Sequence, residues 1–342
     1  MPEVSVVIVC MNRPDILYPC LDSLRSCNSV SMEVFVVAYM FSSENLAALR
    51  ADYPWVTVVE STELRGFSEN NNLALTQARG KYCFVVNDDT LMSMPVVDQL
   101  VADLGRLGSR VAAISPRIVF PDGRVQTCGR APWTAWRWMK HYLHLVDETK
   151  PSKWSRSAVS GPDPVVISSG AEGAVEESNL FRTWTLNGAC FLARTSAFRE
   201  AGWFDPYYFF TPEDIALGQK FGEMGYEVWV DADVSITHLA GGTVYGKSGT
   251  PSRTAVSLGE PAIKPARVQG ALHYYSGGSR VKRFFLALFV WLVESARGLK
   301  YLFASKSDPS SRAAVMSATA RNVRRSVFTR LTPKEVFSRF FK

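Results

Sequence analysis

Four short apolar runs punctuate the first ninety residues, and the segments between them constrain the fold most. VSVVIVC (4–10), EVFVVA (33–38), WVTVVE (55–60) and KYCFVVN (81–87) are rich in β-branched residues and nearly continuous rather than alternating. A strand reads this way when its sheet is covered on both faces. Between the runs lie helical patterns. Pro14 opens one that carries Ile16, Leu17, Leu21 and Leu24, and others fall near 44–51, 68–79 and 95–107. This alternation predicts an α/β fold with a mixed, mostly parallel sheet and helices on both faces. At 342 residues with 47% hydrophobic content, the chain holds enough apolar material for one large domain with an appendage.

Sheets of this kind bind ligands outside the carboxyl ends of their strands, and the fourth run ends there on Asn87, Asp88 and Asp89. Two carboxylates at a strand end can hold a hard divalent cation, Mg²⁺ or Mn²⁺, with substrate phosphates and water completing its shell. The same tripeptide also suits a simple turn. Far downstream, Pro212, Glu213 and Asp214 open a helical pattern with Ile215, Leu217 and Phe221 on its apolar face and Gly225 beyond its end. Acidic residues in a first turn are favoured by the helix dipole whatever their function, and His238 reads equally as a core histidine or a site residue.

The stretch GGTVYGKS (241–248) satisfies the phosphate-binding pattern G-x(4)-G-K-[ST], which on its own suggests a P-loop NTPase. That mechanism needs a helix starting at the Lys-Ser end, so that its N-terminus faces phosphate. The sequence that follows contains Pro251, Gly259, Pro261 and Pro265, a composition read here as defeating a long helix.

The ordered set G-F-x-x-x-N-N-x-A (66–74), N-x-D (87–89), N-G-A (187–189), G-x-F-D (202–205), E-D (213–214), G-Y (225–226) and a closing His238 resembles the inverting family-2 glycosyltransferases. Within them it is most similar to the rhamnosyltransferase-like enzymes that build bacterial cell-surface polysaccharides. The likeness runs from about residue 3 to 245 and implies a GT-A (Rossmann-like) fold. It further implies a metal-dependent hexosyltransferase that moves a sugar, rhamnose from a dTDP donor foremost, to a lipid-linked or growing glycan acceptor. By the same resemblance Asp214 is the catalytic base with Glu213 beside it, and Asp89 and His238 belong to the metal site. Asn12, Arg13, Asn71, Asn87 and Asp88 match nucleotide-sugar-binding positions, and Lys247 matches a loop that closes over the donor. One departure stands out: the family usually carries an acidic residue at the end of the second strand to hold the base, and this chain has Ala38 and Tyr39 there. A galactofuranosyl- or N-acetylhexosaminyl-transferase is the nearest alternative. A non-catalytic sugar-binding scaffold is the alternative from another class, and the joint presence of Asp89, Asp214 and His238 weighs against it.

The domain organisation expected is a GT-A catalytic domain over 1–245 with a variable insertion at 130–182, a flexible linker over 246–277, and a basic amphipathic helical tail over 278–342. That tail holds fourteen Lys or Arg against Glu294, Asp308 and Glu335, so it carries +11 while the rest of the +6 chain carries −5. An acidic remainder argues against a chain built to grip nucleic acid. The tail's FFLALFVWLV (284–293) is ten residues, half what a membrane span needs at about twenty. Apolar residues with basic flanks instead suit a helix lying on an anionic membrane surface. The alternative is packing on the catalytic domain or on a second copy, as in a homo-oligomer. The aromatic stretch WTAWRWMKHYLHL (133–145) likewise faces an acceptor or membrane, or else packs inward. Six cysteines without a C-x-x-C pair and an N-terminus without a basic leader lead to the expectation of a cytoplasmic chain, peripherally associated with the inner face of the cell membrane.

Overall fold

The computed structural model describes residues 1–126, 134–145, 179–239, 260–302 and 312–341. Strands β1 (Val4–Cys10), β2 (Met32–Tyr39), β3 (Val56–Ser61) and β4 (Tyr82–Val86) alternate with helices α1 (Pro14–Cys27), α2 (Ser43–Asp52) and α3 (Phe67–Leu75). These four strands are parallel, in the order β3-β2-β1-β4, with Val4 of β1 beside Met32 of β2 and Tyr82 of β4. The chain runs outward from β1 to β3 and then returns to the other side of β1. That reversal opens a crevice between the ends of β1 and β4, where an open α/β sheet takes its ligand.

The remaining described elements up to residue 238 are β5 (Thr90–Leu91), α4 (Val96–Arg106), β6 (Val111–Val119), α5 (Ala135–Tyr142), β7 (Leu180–Thr183), β8 (Cys190–Arg194), α6 (Thr195–Glu200), α7 (Glu213–Glu223) and β9 (Glu227–His238). Beyond β4 the sheet continues through β8, β6, β9 and β5, with β7 also on β9. The pleat of β1 explains its continuous apolar run: Val4, Val6 and Ile8 face one core with Leu17 and Leu21 of α1 and Leu100 and Leu104 of α4. Val7 faces the other, with Leu75 of α3, Phe198 of α6 and Leu217 and Phe221 of α7. Both faces are therefore buried.

Several of the sequence motifs turn out to hold loops together. A Cβ on Gly66 would lie 2.3 Å from Phe209 O, so only glycine fits where the start of α3 meets the segment leading to α7. Asn72 clasps the backbone of the G-x-F-D turn, its Nδ2 donating to Phe204 O at 2.8 Å and its Oδ1 accepting from Phe204 N at 3.2 Å. Each motif thereby satisfies the other's polar groups.

The described residues of the C-terminal region form four helices, α8 (Glu260–Ser276), α9 (Arg280–Leu302), α10 (Arg312–Ser326) and α11 (Pro333–Phe340). This corrects the linker expected over 246–277 and the view that the prolines defeat a helix, because residues 260–276 form α8. Pro261 sits in its first turn, where a missing N–H costs nothing. Pro265 leaves Pro261 O without its helical donor, and Asn322 Nδ2 of α10 supplies one at 2.9 Å. Burial of Ala266, Val268 and Leu272 then stabilises the helix. Residues 240–259, with Lys247 and the GGTVYGKS stretch, lie outside the described residues, as do 127–133 and 146–178 of the insertion.

The aromatic part of the insertion packs inward through α5, where Trp138 joins a cluster with Val268 and Leu272 of α8 and Leu286 and Val290 of α9. Beneath it Glu294 is buried, and its Oε1 accepts from Lys264 Nζ at 3.0 Å, Arg297 at 2.6 Å and Tyr142 OH at 2.7 Å. Helix α9 thus has two apolar faces. Leu286, Ala287 and Val290 point inward, whereas Val281, Phe284, Phe285, Leu292 and Leu299 are each more than half exposed. No described helix is long and apolar enough to cross a membrane. The tail is tied to the sheet-bearing part of the chain through α11, where Phe337 lies against Phe209 and Phe210 with ring centroids 4.9 and 5.5 Å away, and Lys334 pairs with Glu69 at 2.7 Å.

Candidate active site

The crevice is built by two strand pairings. Antiparallel β4 and β8 place Val86 opposite Cys190, and Asn87 N donates to Ala189 O at 2.9 Å, so the turn after β4 abuts the Asn187-Gly188-Ala189 turn before β8. Just beyond, β5 pairs antiparallel with the end of β9, Thr90 opposite His238, and Leu239 N donates to Asp89 O at 2.9 Å. Asp89 and His238, almost 150 residues apart in sequence, become neighbours. Both side chains are largely buried, and Nε2 of His238 lies 3.1 Å from Asp89 Oδ1 and 3.5 Å from Asn87 Nδ2.

The orientation of that histidine follows from Gln126, which the sequence motifs do not flag. Gln126 Nε2 donates to the backbone carbonyl of His238 at 3.3 Å, which turns Oε1 toward the ring at 2.9 Å from Nδ1. A carbonyl oxygen only accepts, so Nδ1 is an N–H donor and Nε2 is left facing the Asp89 carboxylate, where its lone pair is available to a cation whenever it carries no proton. Two acceptors facing each other at 3.1 Å call for a proton or a cation between them. The spacing is close to the roughly 3 Å edge of an octahedron with metal–ligand bonds of about 2.1 Å. Among the described residues no group of three or more His, Cys, Asp or Glu gathers as a metal site. The donor set fits a divalent ion that takes two protein ligands and draws the rest of its shell from diphosphate and water, as Mg²⁺ commonly does.

On the other side of the Asn187–Ala189 turn stands the E-D pair at the start of α7. Asp214 Oδ2 accepts from Gly188 N at 3.0 Å and Oδ1 from Ile215 N at 2.7 Å. Two amide donors and a helix N-terminus orient the carboxylate, which remains half-buried at the crevice. Glu213 is buried and its Oε2 has no hydrogen-bond partner among the described residues. Burial first, and then the charge of Asp214, push it up to about 8. Asp88 is pushed up to about 6, chiefly by burial; a hydrogen bond with the Cys10 thiol works against the rise and the Asp89 charge adds to it.

The other positions singled out by the sequence serve the scaffold in this conformation. Asn12 Oδ1 accepts from Ser42 N at 3.0 Å and from Asn45 Nδ2 at 2.9 Å, pinning the end of β1 to the start of α2. Arg13 forms a two-pronged pair with Asp15, both contacts 2.7 Å. Asn71 is buried within α3 and donates to Phe67 O at 2.9 Å.

The sheet order and the helices around it give a GT-A-type fold. Residues 5–158 match the family model described as Glycosyl transferase family 2. The chain is 24% identical over 256 residues to the O-antigen biosynthesis protein RfbC of Myxococcus xanthus, an alignment covering 69% of this chain and 17% of that protein. It is 30% identical over 167 residues to the N-acetylglucosaminyl-diphospho-decaprenol L-rhamnosyltransferase of Mycobacterium tuberculosis H37Rv, covering 47% of this chain and 48% of the relative. The chain therefore spans less than half the length of either. Among solved structures, GalNAc-T7 with UDP, GalNAc and Mn²⁺ superposes with a TM-score of 0.54 at 14% identity, over 94% of this chain and 55% of the other. The mannosyltransferase PcManGT of Pyrobaculum calidifontis, in complex with GDP-Man and Mn²⁺, gives 0.50 at 16% identity, over 98% and 86%. At such identities the structures speak to the fold.

The Glu213 environment has a measurable consequence. A carboxyl raised from 4.5 to about 8 in the folded chain contributes stability below its ordinary value, and that contribution is lost as pH climbs through 8. Thermal melts from pH 5 to 9 should show Glu213→Gln gaining on the wild type as pH rises. A constant difference between the two across that range contradicts the buried, protonated carboxyl.

Proposed function

We propose that the protein transfers a sugar, rhamnose foremost, from a nucleotide-diphosphate donor to a lipid-linked or growing cell-surface glycan, with inversion at the sugar carbon. The observation that carries this reading is the pairing of two separate carboxylate stations across the Asn187–Ala189 turn: Asp89 with His238 on one side, Asp214 on the other. Asp89 and His238 would hold the divalent ion, Mg²⁺ or Mn²⁺, whose chemistry when bound is to neutralise charge on the leaving diphosphate. Asp214 removes the acceptor hydroxyl's proton as it attacks, and the amides of Gly188 and Ile215 hold the carboxylate in place for that transfer. Asn87 and Asp88 line the crevice where the nucleotide would lie, with Asn12 and Arg13 across it; Lys247, outside the described residues, is proposed to reach the donor.

Rhamnose and a diphospho-lipid acceptor are favoured because the mycobacterial relative is named for both, and cell-surface polysaccharide assembly because the myxobacterial relative is an O-antigen biosynthesis protein. The outward face of α9 supports peripheral docking to a membrane that would carry such an acceptor. Its exposed Phe284, Phe285, Leu292 and Leu299 are flanked by Arg280, Lys282 and Lys300, which match an anionic bilayer in both polarity and charge.

Replacing Asp214 by Asn should leave donor binding intact and lower turnover by roughly two orders of magnitude or more, the scale of a lost general base. Nucleoside diphosphate release, followed with and without acceptor, checks this, and turnover at the wild-type rate would sink the assignment. For the membrane face, Phe285→Asp combined with Leu292→Asp should abolish sedimentation with vesicles of anionic phospholipid at low salt, where attraction is least screened. Equal sedimentation of variant and wild type would refute the docking role.

A further inference from the structure

Helix α8 runs beside the catalytic loop so closely that a Cβ on Gly270 would lie 2.7 Å from Thr211 O and 3.6 Å from Tyr208 Cδ1. Thr211 is two residues from Glu213, so the helix backbone itself forms a wall at the E-D pair. On the face that carries Gly270, Arg267 lies one turn before it and Tyr274 one turn after. Arg267 is exposed and makes no ion pair among the described residues, although its positive charge reaches the buried Glu213. By contrast Lys264, the preceding turn's cation, is committed to Glu294.

We propose that this face of α8 is the acceptor subsite and that Arg267 receives the acceptor's diphosphate, an inference that rests on the glycosyl-transfer reading above. A guanidinium with no ion pair among the described residues, one turn from the Gly270–Thr211 approach and with its charge felt at Glu213, offers planar, two-pronged recognition of phosphate oxygens. The donor's own diphosphate is drawn to the other side, where Asp89 and His238 present the ion site beyond the Asn187–Ala189 turn. Lipid fits the same geometry. Helix α8 packs through Val268 and Leu272 onto Leu286 and Val290 of α9, whose opposite face is the exposed apolar stripe. A sugar at Asp214, a diphosphate at Arg267 and an isoprenoid chain leading to the α9 surface describe one acceptor: a glycosyl-diphospho-lipid.

Farnesyl diphosphate is a suitable probe, titrated calorimetrically into the full chain with the donor site saturated by dTDP and Mn²⁺. Arg267→Gln should weaken its binding by at least about tenfold, the scale of one charge-assisted hydrogen bond, with dTDP binding unchanged and Arg267→Lys restoring part of the loss. Farnesol and inorganic pyrophosphate, each carrying half of the ligand, should bind more weakly than farnesyl diphosphate. Unchanged affinity in Arg267→Gln, or farnesol binding as tightly as farnesyl diphosphate, overturns the proposal. Pyrophosphate binding as tightly as the lipid form would assign the site to free phosphate and overturn the lipid acceptor. A wild type that fails to bind dTDP would strike the donor reading instead, and farnesyl diphosphate affinity measured without nucleotide still decides the role of Arg267.

Discussion

The antiparallel pairing of β4 with β8 is the constraint on which the site depends. β4 is the last strand of the parallel half of the sheet and ends on Asn87-Asp88-Asp89, while β8 enters from the Asn187-Gly188-Ala189 turn. The bond from Asn87 N to Ala189 O fixes the two turns edge to edge, and every later contact builds on that register. Gly188 then meets Asp214. On the far side β5 is short enough that the chain immediately recruits the end of β9, bringing His238 to Asp89. A one-residue slip of β8 against β4 would turn Phe191 to the opposite face of the sheet and separate the two carboxylate stations.

Around this centre the loops are held by exchanges of polar groups more than by apolar packing. Asn72 holds the G-x-F-D turn, Gly66 lets α3 touch Phe209, and Gln126 orients the ring of His238. The C-terminal helices extend the same logic, because Phe337 and Lys334 of α11 brace the segments at Phe209 and Glu69 that lead into the site. The tail is thus part of the scaffold around the candidate site on its inner side. Its outer side keeps an apolar stripe that nothing described in the chain covers.

How much of this was legible in the sequence depends on the range of the interaction concerned. The buried strands and the helices between them follow from local periodicity, and their observed bounds fall within a few residues of the expected ones. Asp89, Asp214 and His238 were visible through an ordered motif set. Their juxtaposition was not, because it comes from the two strand pairings. Gln126 carries no local signal, since its task is defined only by a histidine 112 residues away. Helix α8 was hidden by Pro261 and Pro265, whose cost is offset by Asn322 and by burial, both tertiary effects that composition does not report. The Asn71-Asn72 pair shows a further limit: both stand in the motif, yet one bonds within its own helix and the other reaches across to Phe204.

The central claim is that Asp89 and His238 are two adjacent ligands of a divalent ion whose remaining ligands come from the donor diphosphate. Anomalous diffraction at the manganese edge, from crystals grown with dTDP and Mn²⁺, tests it most directly. The account predicts a single strong peak within bonding distance of Asp89 Oδ1 and His238 Nε2 and of the diphosphate oxygens, and loss of that peak in Asp89→Ala. A nucleotide bound in the crevice with no manganese beside Asp89, or a peak that persists in the variant, would contradict it.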